Sequence, residues 1–269
     1  MDVLDSPRQI PQELVDEVID NIDNPHDLRA CSLVSSRWVE RSRRRLFDSV
    51  ALNTWNFNMW RRNIPPGSNG ISAYVRSLTL RQARSIVSLE PEILVDIMDH
   101  LASFQRLKVL LLQDVTFDDL FDGRSLTHCF GHFGVSVRSL HLHGMRTNVS
   151  TLLFFISLFP NLDCLAVRSP HIYTRGETEV PKGALSLRGT LRLSGLGATA
   201  SILLQGILLI PLQLVELSVT HSKIPDSRVL NRLIEACAPT LKKVELAHLG
   251  SGTHHSSLLR GTAPLTIVY

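Results

Sequence analysis

Val137-Arg138-Ser139-Leu140-His141-Leu142 carries apolar residues at its first, fourth and sixth positions, and that spacing returns along most of the chain. It appears as Val75/Leu78/Leu80, Leu107/Leu110/Leu112, Val137/Leu140/Leu142, Leu162/Leu165/Val167, Leu214/Leu217/Val219 and Leu241/Val244/Leu246. A weaker copy keeps Leu191 and Leu193 but has Arg188 at its first position. Successive copies start 25 to 32 residues apart. A unit of this kind is one short strand and a return segment. It cannot bury its apolar side alone, and stacked units share one continuous core. The expected fold class is therefore α/β, with short parallel strands joined by helical or irregular return segments.

Several return segments have helical spacing. Pro91 opens Ile93, Leu94, Ile97, Met98 and Leu101; Ser150 is placed to cap Leu152, Leu153, Phe154 and Ile156; Asp226 or Ser227 precedes Val229, Leu230, Leu233 and Ile234. Residues 117–134 read poorly as a helix, and residues 173–183 read as a polar loop inserted in the array. Side chains alternate across a strand, so the residues between the apolar ones form an open sheet face. Arg81, Gln113, His141, His143, Arg168, Arg192 and Glu216 lie there and are the candidate target-binding residues. The face is mixed, with more basic than acidic groups, which suits an acidic or phosphorylated protein segment.

Ahead of the repeats, Ile10-Pro11-Gln12-Glu13-Leu14-Val15 starts a different pattern. Pro11 suits the first position of a helix, where its missing N–H costs nothing. Leu14, Val15, Val18, Ile19 and Ile22 follow at helical spacing. Asn24-Pro25 repeats the start signal with Asp27 in the first turn, and the second helix carries Leu28, Cys31 and Val34 on one face. Ser35 or Ser36 can cap a third helix with Trp38, Val39, Leu46 and Phe47. Three such helices make a small core, so apolar positions stay exposed and point to a protein partner.

Ile10-Pro11-x-Glu13-Leu14, Val18-Ile19 and Leu28-x-Ala30-Cys31-Ser32-Leu33-Val34-Ser35-x-x-Trp38 resemble an F-box of the type abundant in fungal proteins. The resemblance implies docking onto the small Skp-type adaptor of a Skp–cullin–F-box ubiquitin ligase. Its matching positions are Ile10, Pro11, Leu14, Val18, Leu28, Leu33, Val34 and Trp38, with Ile10 in place of the commoner Leu. The remainder resembles the irregular leucine-rich repeats that often follow an F-box. It departs from them where Asn or Cys is usual after the strand: those places hold Ala83, Val115, Met145, Pro170, Leu196, Ser222 and Leu249. Without that side-chain ladder the turn's backbone groups need other partners, and an irregular curve is expected. The resulting division is an N-terminal tail over 1–9, an F-box over 10–50, a linker over 51–74 and the array over 75–269. The expected role is a non-enzymatic substrate-recognition subunit. The alternatives are a scaffold acting outside a ligase and a hydrolase with an unrecognised nucleophile.

Composition sets the remaining bounds. The 269 residues are 44% hydrophobic, 20% charged, and carry a net charge of +3, so nucleic acid is not an expected partner. Arg37, Arg41, Arg43, Arg44 and Arg45 cluster in the third helix and read as a solvated face, with long stems covering the apolar surface beneath. Cys31, Cys129, Cys164 and Cys237 are too widely spaced for a zinc ribbon or a secreted disulfide framework, so an intracellular setting in cytoplasm or nucleus is expected. Residues 193–215 contain no charge and are long enough to span a bilayer. Their Gly195, Gly197, Gln205, Gly206, Pro211 and Gln213 favour a buried helix between two strands, and no membrane partner is expected. Gly250-Ser251-Gly252-Thr253-His254-His255 is neither a nucleophile elbow nor a P-loop. His128-Cys129 with His132, and His141 with His143, have metal-ligand residue types but no full ligand set. No cofactor or metal is expected.

Overall fold

The computed structural model describes residues 10–64, 70–82, 91–117, 123–173, 186–197, 199–220, 222, 227–247 and 266–268. In chain order the elements are α1 (Gln12–Asp20), α2 (Pro25–Val34), α3 (Ser36–Phe47), β1 (Ser49–Asn53), α4 (Thr54–Asn63), β2 (Ser77–Arg81), α5 (Pro91–Leu101), β3 (Val109–Gln113), α6 (Gly123–Phe130), β4 (Ser139–His143), β5 (Arg146–Asn148) and α7 (Val149–Ser157). They continue with β6 (Cys164–Arg168), β7 (His171–Tyr173), β8 (Leu187–Ser194), α8 (Ala200–Ile207), β9 (Leu212–Thr220), α9 (Ser227–Cys237), β10 (Lys243–Ala247) and β11 (Thr266–Val268).

Nine strands form one sheet in the order β1-β2-β3-β4-β6-β8-β9-β10-β11, and each pair along it is parallel. Parallel neighbours need a crossover, and α4, α5, α6, α7, α8 and α9 lie in six of these eight connections. The repeated apolar triplet sets the register. Leu78, Leu110, Leu140 and Leu165 pair across the strands as one row, and Leu80, Leu112, Leu142 and Val167 as the next. These rows are at most 5% exposed and pack against the helices in a single core. Its densest part is aromatic. Phe155 of α7 sits with its ring centroid 4.9 Å from Phe117, 4.9 Å from Phe130 and 5.2 Å from Phe159.

Most of the described strand-end turns lack a side-chain ladder, as the missing Asn and Cys imply. The residue after β3, β4, β6 and β8 turns into the left-handed region: Asp114 (φ 57), Gly144 (φ 60), Ser169 (φ 47) and Gly195 (φ 64). Its N–H donates to the last carbonyl of the next strand: Asp114 to His143 (2.8 Å), Gly144 to Arg168 (2.8 Å), Ser169 to Ser194 (2.8 Å) and Gly195 to Thr220 (3.1 Å). One position further on, Val115, Met145, Leu196 and Ser222 are buried, and β5 and β7 add a small second parallel sheet. Backbone bonds and apolar burial thus serve the turns at Val115, Met145 and Leu196, whereas Ser222 supplies a side chain: its Oγ accepts from the Leu196 N–H at 3.2 Å and donates to the Thr220 carbonyl at 2.8 Å.

Four expectations need correction. Residues 51–74 are not a linker: the end of β1 and all of α4 lie there, and Leu52 and Phe57 belong to the core. Residues 117–134 do contain a helix, α6, whose Leu126, Cys129 and Phe130 are buried. The cap of α7 is Asn148, which accepts from the Thr151 N–H at 2.8 Å, rather than Ser150. In the weak repeat Leu187 is the buried residue and Arg188 is exposed, because the β8–β9 register shifts between Gly189 and Thr190. Most of the polar loop near 173–183, and the other residues from 248 to 265, lie outside the described residues. The uncharged run does hold a buried helix, α8, between β8 and β9, and among the described residues no helix is long and apolar enough to cross a membrane.

The first three helices keep a separate core of Val15, Ile19 and Leu28, flanked by Ile22, Trp38 and Leu46. Only Asp48 separates α3 from β1. The Arg76 and Ser77 N–H groups donate to the Asp48 carbonyl at 2.9 Å, and the Tyr74 hydroxyl donates to Glu40 at 3.0 Å. Phe47 meets Trp60 edge-on at 6.4 Å. The helical head is therefore joined to the sheet by short, specific contacts.

Candidate functional sites

Two surfaces stand out, one on the head and one on the sheet. On α1 the apolar residues divide between two faces. Val15 (3% exposed) and Ile19 (0%) fill the head's core, whereas Leu14 (52%) and Val18 (52%) point outward with Ile10 (59%). Ile10, Leu14 and Val18 line a shallow groove with Trp38, rimmed by Glu17 and Asn21. Leu33 (86%) and Val34 (65%) are exposed at the end of α2. Of the eight residues expected to dock an adaptor, Ile10, Leu14, Val18 and Trp38 are thus brought together; Pro11 is exposed as the N-cap residue of α1. Leu28, only 4% exposed, serves the head's own core and presents nothing to a partner. Cys31 is half-buried and Val34 exposed, so the face expected to carry Leu28, Cys31 and Val34 is buried fully only at Leu28.

The arginines of α3 fasten the head together. Arg41 pairs with Asp20, Arg45 reaches Asp23 at 3.5 Å and the Ile22 carbonyl at 3.2 Å, and Arg37 donates to the Ile10 carbonyl at 3.4 Å. The Arg41 guanidinium holds the Asp20 carboxyl below its usual range and is itself pushed up. Stems and charges are thus spent on α1 and its following turn, which fits a solvated helix face better than a nucleic-acid patch.

The open sheet face places the other candidates in rows. Arg81, Gln113, His143 and Arg168 are register partners along one row. His141 pairs with Ala166, which pairs with Arg192, in the next row; Glu216 pairs with Thr190 and Lys243 in the third. Arg192 and Glu216 line a second shallow depression with Lys243 and Glu245. Burial, then His143 and Arg192, hold His141 below the usual imidazole range; burial, then Arg168, do the same to His143, with Asp114 opposing. Ser139 Oγ lies 2.8 Å from His141 Nε2. Arg81 lies 4.0 Å from Asp114.

Among the described residues no group of three His, Cys, Asp or Glu side chains is placed to hold a metal ion. His128 meets Asp99 at 3.1 Å, while Cys129 is buried with its thiol pushed up to about 11 by desolvation and then by Asp99. The Gly250–His255 segment lies outside the described residues. No protein-family model and no curated protein matches the chain.

Proposed function

We propose that the chain is a non-catalytic protein-binding subunit built from a docking head and a recognition sheet. More specifically, the head is an F-box that binds a Skp-type adaptor, and the sheet with its helices is an irregular leucine-rich-repeat solenoid that holds a protein target for ubiquitination. The observation that carries this reading is the division of α1: Ile10, Leu14 and Val18 are each more than half exposed while Val15 and Ile19 are spent on the core. A free helix face of that kind, beside exposed Leu33 and Val34, is what an apolar partner groove or helix would cover. The parallel strands, the returning apolar triplet and the left-handed turn at equivalent positions support the solenoid reading. In this role the subunit contributes proximity, raising the local concentration of target lysines near the ubiquitin-loaded partner.

The test is co-expression of the full chain with a Skp-type adaptor and a cullin. The expected result is a ternary complex that Leu14→Ala with Val18→Ala dissolves while the chain stays folded. An adaptor complex that never recruits the cullin would favour a scaffold outside the ligase. Failure of the intact chain to bind the adaptor would remove the proposal.

A further inference from the structure

We propose that arginine stands in for lysine over residues 1–107 to deny ubiquitin an acceptor amine at the docking end of the chain. This goes beyond the ligase reading and rests on it. Of the 28 basic residues, 23 are arginine, and the five lysines are Lys108, Lys182, Lys223, Lys242 and Lys243. Thirteen arginines come before the first lysine. From Lys108 onward ten arginines accompany all five lysines. The lysine-free stretch takes in α1 to α5 with β1 and β2, which is the whole head and the first two strands of the sheet.

Pairing explains only part of this. Arg41 meets Asp20 through two guanidinium nitrogens, and Arg45 reaches both Asp23 and the Ile22 carbonyl; a fork does this and an ammonium does it poorly. Arg29, Arg43, Arg62 and Arg106 differ. Each is exposed, with no carboxylate within 4.0 Å and no side-chain hydrogen bond among the described residues. Lysine would keep the charge there, and its helix propensity nearly equals that of arginine, so folding does not choose between them. Reactivity does. A lysine ammonium gives one proton to solvent, and the amine attacks the thioester carbonyl that joins the ubiquitin C-terminus to a conjugating-enzyme cysteine. The amide C–N bond forms, the C–S bond breaks, and the second proton leaves with the thiol. A guanidinium stays protonated and delocalised, and has no free lone pair with which to attack.

Position gives the exclusion its purpose. Arg29 lies one helical turn before Leu33 on α2, so the two are neighbours on the exposed surface of the head. A whole protein domain attached at residue 29 would cover Leu33 and Val34. The described lysines are placed elsewhere: Lys108 just before β3, and Lys242 and Lys243 at the start of β10, all three exposed. β10 stands seven strand positions from β1, which is about 34 Å along the sheet at about 4.8 Å per strand. Lys182 and Lys223 lie outside the described residues.

The experiment combines the full chain with a Skp-type adaptor, a cullin and its RING partner, a conjugating enzyme and ubiquitin. Arg29→Lys, Arg43→Lys and Arg62→Lys, singly and together, keep the charge and add amines to the head. Asn58→Lys, at an exposed position of α4, adds one by a different route and decides the matter if the triple variant fails to fold. Mass spectrometry is expected to find ubiquitin on array lysines alone in the parent, and on the introduced lysines as well in the variants. Self-conjugation of the triple variant should be about twofold faster or more, because the new amines sit beside the docked ligase. Conjugated Arg29→Lys chain, returned to fresh adaptor, should bind about tenfold more weakly than the unconjugated variant. Introduced lysines that stay bare, a triple variant conjugated no faster than the parent, or conjugated chain that docks as tightly as before would each overturn the proposal. If the ligase assembles and tags array lysines but not the introduced ones, this inference alone falls. If no assembly forms, the ligase reading falls and takes this inference with it.

Discussion

Phe154 and Phe155 are adjacent on α7, and helix phase alone separates their environments. Phe155 is fully buried and touches three other rings at 4.9 to 5.2 Å, whereas Phe154 is partly buried at the edge of the same core. Replacing a buried Phe by Ala removes its transfer free energy and leaves a cavity, at a cost of about 3–5 kcal/mol. The lost ring pairs are part of that cost, at about 0.5–1.5 kcal/mol each, and they do not add independently. For a chain of this size about 1 kcal/mol lowers the melting temperature by roughly 2–4 °C. Phe155→Ala is therefore expected to lower it by about 6–20 °C, and Phe154→Ala by roughly half as much or less. Urea titrations followed by circular dichroism, with calorimetry on the same samples, measure both. Equal losses at the two positions, or a loss below about 1 kcal/mol at Phe155, would refute the packing described for the array.

Three further outcomes follow from other parts of the molecule. Gly144→Ala should destabilise by about 1–2 kcal/mol or more, because φ is +60° and the added carbon would lie 2.5 Å from Asp114 Oδ1; Gly197→Ala, with nothing within 4 Å, should be neutral in the same denaturant titration. Cys129 and Cys237 are buried with thiols pushed up to about 11, so at pH 8 a thiol reagent should label Cys31 and Cys164 first and the other pair only on unfolding, as read by mass spectrometry. The Asp20 carboxyl is lowered by Arg41, so its contribution is present above the ordinary carboxylate range and is lost as pH falls through the lowered value. With side chains 40% and 31% exposed, the pair is worth under about 1 kcal/mol; Arg41→Gln should cost that near pH 7 and progressively less as pH falls through the lowered Asp20 value, read in urea titrations across the acid range.

The strands were legible because three apolar residues per unit must all face one core, and that demand leaves a spacing that survives sequence drift. The same spacing hid one strand. Phe47/Val50/Leu52 matches the triplet, and Ser49 pairs with Ser77, so Phe47 stands where Val75 stands in the next unit. Phe47 also ends α3, and the helical reading absorbed it. The three-residue strands β5 and β7 left no signal, since only Thr147 and Ile172 are buried in them and neither has a periodic neighbour. Asn148 as a cap was masked by Ser150, a second good capping residue two positions on. On the head, helical periodicity marked Leu14, Val15, Val18 and Ile19 alike. Which two turn inward depends on where α2 and α3 pack, and that is long-range information.

Calorimetric titration of a Skp-type adaptor into the intact chain tests the central claim most directly. The account predicts a one-to-one complex that Leu14→Ala with Val18→Ala weakens by about 2–4 kcal/mol, roughly 30- to 1,000-fold, with an unchanged melting temperature for the free chain. Absence of heat with the intact chain, or equal affinity for the double variant, would contradict it.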